Sequence, residues 1–122
     1  MGAFSSEEIA YMTGERRLAR LATVGADGMP HVVPLGWTYN AELDTIDVGG
    51  SDMAATKKFR DVKQSGRAAI VIDDVVPPWS PRGIEVRGRA EALEDGRVGN
   101  NEPASLIRIH PDHVRSWGLS KS

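Results

Sequence analysis

The sequence predicts a mainly β fold, in which six short antiparallel strands form a small barrel with two short helices at its periphery. Apolar residues recur at every second position or in short runs along most of the chain, which is the period of a strand. Gly and Pro interrupt these runs at short intervals and limit each strand to a few residues. Only two segments carry helix start and stop signals, and twisted sheets of about six strands close readily into barrels.

Length and composition narrow the classes of protein. The 122 residues suit one domain, which we expect to span 1–122. Cysteine is absent, which excludes disulfides and thiolate metal sites, and the net charge of -2 argues against a nucleic-acid binder. No run approaches the ~20 apolar residues of a membrane span, and the N-terminal segment is too polar for a signal peptide. We expect a cytoplasmic protein.

The first element is a helix over residues 5–14. Ser5 and Glu8 have the spacing of a capping box, in which each side chain accepts a hydrogen bond from the other residue's backbone N–H. Gly14 is a suitable residue to end the helix.

Residues 17–40 form two extended runs around a turn. The turn is Asp27-Gly28, a dipeptide that supplies the positive φ of a tight hairpin. Pro30 has no N–H to donate, so the hairpin should place it at a strand start or on a sheet edge.

The remaining strands follow from composition and alternation. Residues 44–50 are predicted as the third strand, 67–74 as a central fourth, 83–93 as a half-buried fifth, and 105–119 as a last strand broken near Pro111. Three prolines exclude a regular element over 74–83, and 94–104 is predicted as a loop. Glycines 36, 49, 50 and 88 are expected at bends or where another group approaches the backbone.

The internal helix, "ATKKFRDVKQSG" over residues 55–66, is the best candidate for a site. It follows a strand and two glycines, so its first N–H groups and positive dipole end are available to an anion. Thr56, Lys57 and Lys58 would add donors to a phosphate. The alternative is a solvated basic face, with Asp52 and Asp61 as partners. The residues alone leave both interpretations open.

The rest of the chain carries no recognisable catalytic set. The motifs of a nucleophile elbow, a Rossmann site and a P-loop are all absent. His31, His110 and His113 lack the spacing of a metal site, so we expect none. We assign no catalytic residue.

Trp79 and a group of arginines are further candidates. Trp79 lies in the proline-rich loop, where no pattern buries it, so it is expected at a subunit contact or a pocket wall. Arg82, Arg87 and Arg89 form a basic strand face that could meet an anionic tail, or pair with neighbouring glutamates across strands.

The order and spacing of four stretches resemble the split β-barrel flavin-binding superfamily named after pyridoxamine 5'-phosphate oxidase. The stretches are "ARLATVGADGMPHVVPLGW", "TIDVGG…ATKKFRDV…SGRAAIVIDD", "GIEVRGRAE" and "LIRIHPDHVRSWGL". The resemblance is closest to its actinobacterial branch that uses the 5-deazaflavin coenzyme F420. It implies a six-stranded antiparallel split β-barrel of the FMN-binding type.

The resemblance also implies roles for the internal helix. Lys58 and Arg60 match a family pattern that holds the cofactor phosphate, and Thr56 and Lys57 match the position of further phosphate donors. Asp61 stands where the family pattern has Asn.

Further roles are implied for the second strand and for a second subunit. Val33, Pro34, Leu35 and Gly36 match the strand under the flavin ring, with Gly36 allowing close approach. Family members are homodimers that hold each cofactor between subunits, so Trp79 could reach across, as could Arg82. Many relatives carry a helix in the region of 94–104, for which this chain is too short.

The implied chemistry is hydride transfer between the deazaflavin C5 and an electron-poor small molecule with a conjugated C=C or an imine. The protein then orients the cofactor and shapes the pocket, and needs no nucleophile of its own. His31 and Tyr39 are candidates for a proton donor. The alternatives are an FMN-binding oxidase or flavin reductase of the same fold, and a non-catalytic binder of a flavin, a deazaflavin or a heme-like molecule.

Overall fold

The computed structural model describes residues 2–50, 52–98 and 101–119, which contain two α-helices and eight strands. The helices are α1 (Ser6–Thr13) and α2 (Lys57–Ser65). The strands are β1 (Ala19–Val24), β2 (Pro30–Leu35), β3 (Thr38–Asn40), β4 (Thr45–Gly49), β5 (Arg67–Val76), β6 (Ser80–Gly96), β7 (Ala104–Ile109) and β8 (His113–Trp117). A short 3₁₀ turn, Met53–Ala55, precedes α2.

The predicted boundaries of α1 are confirmed by its cap. The backbone N–H of Glu8 donates to Ser5 Oγ at 3.1 Å, and the backbone N–H of Ser5 donates to Glu8 Oε1 at 2.9 Å. The other carboxylate oxygen of Glu8 accepts a 2.7 Å hydrogen bond from the hydroxyl of Ser116 in β8. One side chain therefore both caps α1 and ties it to the sheet.

All strand pairs are antiparallel, and the sheet divides into two halves that share β6. In the first half the order is β2-β1-β5-β6, and β8 pairs with the other edge of β6. In the second half the order is β6-β7-β4-β3. The fold class is confirmed: this is a split barrel in which one long strand belongs to both sheets.

Gly88 lies where β6 passes from one half to the other. A Cβ at this position would overlap the carbonyl oxygen of His110 and would lie 2.9 Å from the backbone N of Asp112. The backbone N–H of His110 donates to the carbonyl of Arg89, and that of Asp112 to the carbonyl of Arg87. The β7–β8 connection is thus packed directly onto the backbone of β6, as expected for a glycine where another group approaches.

The core lies between the two halves and is closed at one end by α2. Phe59 and Val62, three residues apart on α2, face inward and are 2% and 1% exposed. They pack in one cluster with the inward residues of the strands, which include Leu21, Ile70 and Ile107. Burial of the apolar side of α2 therefore fixes which side faces outward.

Several strand predictions need correction. The structure has eight strands and not six, because β3 is a separate short strand and the break at Pro111 divides the last strand in two. The prolines of 74–83 do not exclude regular structure, because β5 and β6 continue into this segment as far as the pair Val76–Ser80. β6 also continues to Gly96, into the predicted loop. A hairpin with few ladder bonds near its tip tolerates prolines.

Other strand predictions are confirmed. Pro30 begins β2, which is an edge strand, and β5 lies between β1 and β6 with apolar residues buried along it. That residues 1–122 form a single domain stays a prediction. Among the described residues, no helix is long and apolar enough to cross a membrane, and no group of three or more His, Cys, Asp or Glu side chains is arranged to hold a metal ion.

Candidate functional site

The site is built around the start of α2. Thr56 is the N-cap: its Oγ1 accepts a hydrogen bond from the backbone N–H of Phe59 at 3.2 Å and donates to the carbonyl of Met53 at 2.7 Å. The hydroxyl thereby fixes the direction in which α2 leaves the 3₁₀ turn. Its single proton is donated within the protein, and a contact between Thr56 and phosphate stays a prediction.

Lys57 and Asp61 form an ion pair along the surface of α2. The distance from Lys57 Nζ to Asp61 Oδ1 is 3.1 Å, and the Asp61 side chain is only 6% exposed. The second carboxylate oxygen of Asp61 accepts a 2.9 Å hydrogen bond from Thr23 Oγ1 in β1. Asp61 therefore joins the helix to the sheet.

The carboxylate of Asp61 is held in its ionised form. Burial alone would raise its pKa, but hydrogen bonds from Lys57 and Thr23 bring the pKa below its ordinary value. His31 lies opposite Thr23 in the β1–β2 pair, so these two side chains share one face of the hairpin. His31 of β2 is thereby placed beside α2.

Lys58 and Arg60 differ in their contacts. Lys58 is half-buried, and none of the acidic side chains in the described part of the chain forms an ion pair with it. The exposed Arg60 donates from Nη1 to the carbonyl of Ala55 at 3.1 Å. Lys58 therefore has neither an ion pair nor a side-chain hydrogen bond among the described residues, whereas Arg60 lacks an ion pair but donates to a backbone carbonyl.

The residues predicted to lie under a flavin ring are on β2 and just beyond it. Val33 and Leu35 pack partly against the core, whereas Pro34 points to the exposed face. Gly36 is exposed, and a Cβ added to it would have no heavy atom within 4 Å. Nothing in the described protein therefore requires glycine at this position.

Trp79 and Arg82 lie at the opposite end of the β5–β6 hairpin from α2. Trp79 is 74% exposed at the hairpin tip. α2 contacts β1 close to the residue that pairs with Ala69 of β5. Asp74, which binds Arg82, lies about 17 Å further along β5 than Ala69. One chain does not bring these two residues to Lys58, and their reach across a subunit boundary stays a prediction.

Arg82 takes part in a cluster that sequence reasoning missed. Its Nε and Nη2 donate to the two oxygens of Asp74 at 2.8 and 3.0 Å. Tyr11 of α1 also donates to Asp74 at 2.8 Å, and Arg17, whose Nε is 3.2 Å from Asp74, stacks on the Tyr11 ring. The hydrogen bond from Arg82, ahead of the hydrogen bond from Tyr11 and the charge of Arg17, holds the pKa of Asp74 well below its usual range.

A groove of about 480 Å³ on the outer face of the first half-sheet was also missed. Its floor is apolar and comes from β1, β2 and β5, and Arg67, Arg87 and Arg89 stand along it. Arg67 and Arg89 are direct cross-strand partners, and Asp112, which also lines the groove, supplies a counter-charge 3.6 Å from Arg89. The alternation of β6 predicts the outward position of Arg87 and Arg89, but only the strand register brings Arg67 to them.

The two candidate proton donors have different surroundings. The hydroxyl of Tyr39 donates to Asp44 at 3.0 Å, and burial, with this hydrogen bond, raises the pKa of Tyr39. His31 is half-buried on β2 beside Thr23. Of the two, only His31 lies near the start of α2.

Comparison with known proteins decides the family. A family profile described as pyridoxamine 5'-phosphate oxidase matches residues 5–118, which include both helices and all eight strands. The chain belongs to the pyridoxamine 5'-phosphate oxidase family. The matched residues of this chain run without a break from the β1–β2 hairpin to β8, which is the part that carries the resemblance to this family.

Two curated relatives of this chain are named as reductases. The chain is 38% identical over 120 residues to a 5a,11a-dehydrotetracycline/5a,11a-dehydrooxytetracycline reductase of Streptomyces rimosus, covering 95% of this chain and 84% of the relative. It is 32% identical over 94 residues to an F420H(2)-dependent biliverdin reductase of Mycobacterium tuberculosis, covering 75% of this chain and 61% of the relative.

A solved structure supports the fold. A conserved hypothetical protein of Mycobacterium tuberculosis superposes with a TM-score of 0.75 at 23% identity, over 96% of this chain and 86% of the other. At that level of sequence identity the structural similarity supports the split-barrel fold alone.

Proposed function

We propose that this protein is an F420-dependent oxidoreductase that binds the phosphate of its cofactor at the start of α2. The observation that carries the proposal is Lys58, a half-buried cation without a protein counter-charge among the described residues, at the positive end of a helix in a family member whose curated relatives are reductases. One of those relatives is F420H(2)-dependent by name.

The residues present fit a phosphate group. The first N–H groups of a helix lack partners within the helix, and they point toward the same end as Lys58. Thr56 fixes that end, because its side chain caps Phe59. Two cations at a helix start oppose the helix dipole, and an anion removes this cost.

F420, when bound, supplies a hydride from its deazaflavin C5. The chain's own part is to hold and orient. In this proposal Lys58 and the α2 N-terminus would hold the phosphate, and the segment from Val33 to Gly36, at the end of β2 and just beyond it, would hold the ring. The open space at Gly36 supports this placement, since a ring can approach the backbone there.

The substrate class that we propose is a small organic molecule with an electron-poor C=C bond. The Streptomyces rimosus relative is named for the reduction of a dehydro compound, and a dehydro prefix denotes an unsaturated bond. His31 is the proposed proton donor, because β2 places it beside the start of α2, unlike Tyr39.

We further propose a homodimer formed through the outer face of β1 and β2. Val24 and Val32 lie on this face, 44% and 67% exposed, with Leu18 and Met29 exposed nearby. A row of exposed apolar side chains on an edge hairpin favours association. Val32→Glu is expected to give a monomer in sedimentation analysis and to weaken cofactor binding, whereas an unchanged dimer would refute this surface.

The central experiment is a titration of the purified apoprotein with F420 and with FMN. We expect F420 to bind more tightly. Tight FMN binding without F420 binding would replace the proposal by an FMN-dependent oxidase or flavin reductase of the same fold. Turnover of F420H2 with unsaturated acceptors then separates an enzyme from a non-catalytic binder.

Lys58→Ala tests the phosphate site. A charge-assisted hydrogen bond is worth about 1.5–3 kcal/mol, so the dissociation constant should rise by about 10- to 100-fold. Lys63→Ala is the matched control, because Lys63 lies on the same helix at its other end and pairs with the exposed Glu94. Equal dissociation constants for wild type and Lys58→Ala would refute the phosphate site and favour the other interpretation, in which α2 presents a solvated basic face.

The remaining expectations stay predictions. They are the cytoplasmic location and the absence of a nucleic-acid partner.

A further inference from the structure

We infer that Asp61 limits the affinity of the cofactor site, by holding Lys57 away from the phosphate. This inference rests on the proposed phosphate site at the start of α2. It concerns the ion pair between Lys57 and Asp61, for which the phosphate role of Lys58 gives no explanation.

The direction of the ion pair is the first argument. Lys57 is the first residue of α2, and Asp61 lies one turn further along the same helix. The ammonium group, 3.1 Å from Asp61 Oδ1, is therefore drawn toward the C-terminal end of α2. The unpaired N–H groups that attract an anion point the opposite way.

The anchoring of Asp61 is the second argument. One carboxylate oxygen contacts Lys57 and the other accepts the hydrogen bond from Thr23 in β1. With the Asp61 residue 4% exposed, its carboxylate is held by both the helix and the sheet. Lys57 can move toward a phosphate only by leaving a buried anion without its cation, which is costly.

The β1–β2 turn is the third argument. A Cβ built on Gly25 would lie 3.1 Å from Lys57 Nζ and 3.5 Å from Asp61 Oδ1. The ammonium group thus packs against the backbone of Gly25, in space that a side chain would fill. Two elements outside α2, at Thr23 and Gly25, therefore support the same position of Lys57.

Asp61 acts on an anionic ligand in two ways. It keeps one cation from the phosphate, and its own negative charge, less than two helical turns from the α2 N-terminus, repels the phosphate through a partly buried medium. Both effects weaken binding. A residue that only positioned Lys57 on the phosphate would do the reverse, so the sign of the effect tests the inference.

Asp61→Asn is the decisive variant. Asn keeps the size of the side chain and an oxygen that accepts from Thr23, but it removes the charge. We expect the dissociation constant for F420, measured by fluorescence titration, to fall by about 3- to 10-fold. An unchanged or higher dissociation constant overturns the inference.

Gly25→Ala perturbs the contact between Lys57 and Asp61 by a change in the β1–β2 turn. The φ of Gly25 is not in the left-handed region, so alanine fits the backbone. Its methyl group would lie 3.1 Å from Lys57 Nζ and 3.2 Å from Asp27 Oδ1, and would push the ammonium of Lys57 away from the turn by a small distance. We expect tighter F420 binding by about 2- to 3-fold. Weaker binding by this variant, with an unchanged melting temperature, also counts against the inference.

Lys57→Gln separates the two effects. This change leaves the Asp61 carboxylate without its cation, so its repulsion of the phosphate should raise the dissociation constant for F420. In the Lys57→Gln background, Asp61→Asn removes that repulsion but has no lysine to release, so the double variant should bind F420 about as tightly as wild type and more weakly than Asp61→Asn alone. A double variant that binds F420 as tightly as Asp61→Asn overturns the role assigned to Lys57.

Glu94→Gln is the matched control. It removes an acid that pairs with Lys63, the other lysine of α2 in an ion pair, and should leave F420 binding unchanged. Lys58→Ala separates the two proposals. If Lys58→Ala weakens binding and Asp61→Asn does not tighten it, the inference alone fails; if Lys58→Ala has no effect, the phosphate site itself fails.

Discussion

Gly88→Ala is expected to destabilise the fold strongly, because the position lies under the β7–β8 connection. The added Cβ would overlap the carbonyl oxygen of His110 and lie 2.9 Å from the backbone N of Asp112. Both neighbours are backbone atoms and cannot rotate away as the end of a side chain would. The connection itself must move.

The magnitude follows from what the connection loses. Three hydrogen bonds hold it to β6: His110 N to Arg89 O at 2.8 Å, Asp112 N to Arg87 O at 3.0 Å, and Arg89 N to Asp112 Oδ2 at 3.0 Å. Weakening two of them costs about 1–3 kcal/mol, and overpacking adds a similar amount. The smaller entropy of unfolded alanine offsets about 0.4–1 kcal/mol. The net loss is about 2–4 kcal/mol.

Urea denaturation followed by circular dichroism measures this loss. Gly36→Ala is the control, since a Cβ there meets no heavy atom within 4 Å, and its unfolding free energy should stay within about 0.5 kcal/mol of wild type. Equal stability of Gly88→Ala and Gly36→Ala would refute the packing of the β7–β8 connection on β6.

Two further predictions concern cofactor binding and pH. Gly36→Ala should weaken F420 binding by about 10-fold without loss of stability, because the methyl group meets only a ligand; an unchanged dissociation constant would remove Gly36 from the site. Asp74→Asn should destabilise the protein by about 2 kcal/mol at pH 7, since the carboxylate accepts charge-assisted hydrogen bonds. The folded-state pKa of Asp74 is depressed, so its contribution is present above the ordinary Asp pKa of about 3.9 and is lost as pH falls toward the folded-state value. The difference between wild type and Asp74→Asn in pH-dependent thermal unfolding should therefore shrink below about pH 4, and a difference that stays constant would contradict this origin.

The local elements of the fold were predictable from the sequence. The capping box of Ser5 and Glu8, the hairpin turn at Asp27-Gly28 and the inward pair of Phe59 and Val62 depend on neighbours a few residues apart. The proline-rich hairpin was predicted wrongly as irregular, since proline rules describe single residues and not the pairing that two long strands sustain.

The candidate site was predictable only in part. The sequence points to the start of α2 and to Lys58, and the family match over residues 5–118 agrees with the order of the segments. Asp61 was expected as a possible partner of the two lysines, and it pairs with Lys57 at the i, i+4 spacing of a helix. The hydrogen bond from Thr23 that anchors Asp61 was not predictable, because Thr23 lies on a distant strand. The same is true of Arg82, which the strand register pairs with Asp74.

The sequence by itself determined where the two helices and the Asp27-Gly28 turn lie, which face of α2 is apolar, and which helix start could bind an anion. These features depend on local backbone preferences and on the periods of helix and strand. The tertiary structure alone decided that β6 belongs to both halves of the barrel, that Arg67 stands opposite Arg89, and that the buried Asp61 carboxylate binds Thr23 of β1. Those contacts join residues that only the packed sheet brings together, and a buried charge selects its partner by proximity in the fold.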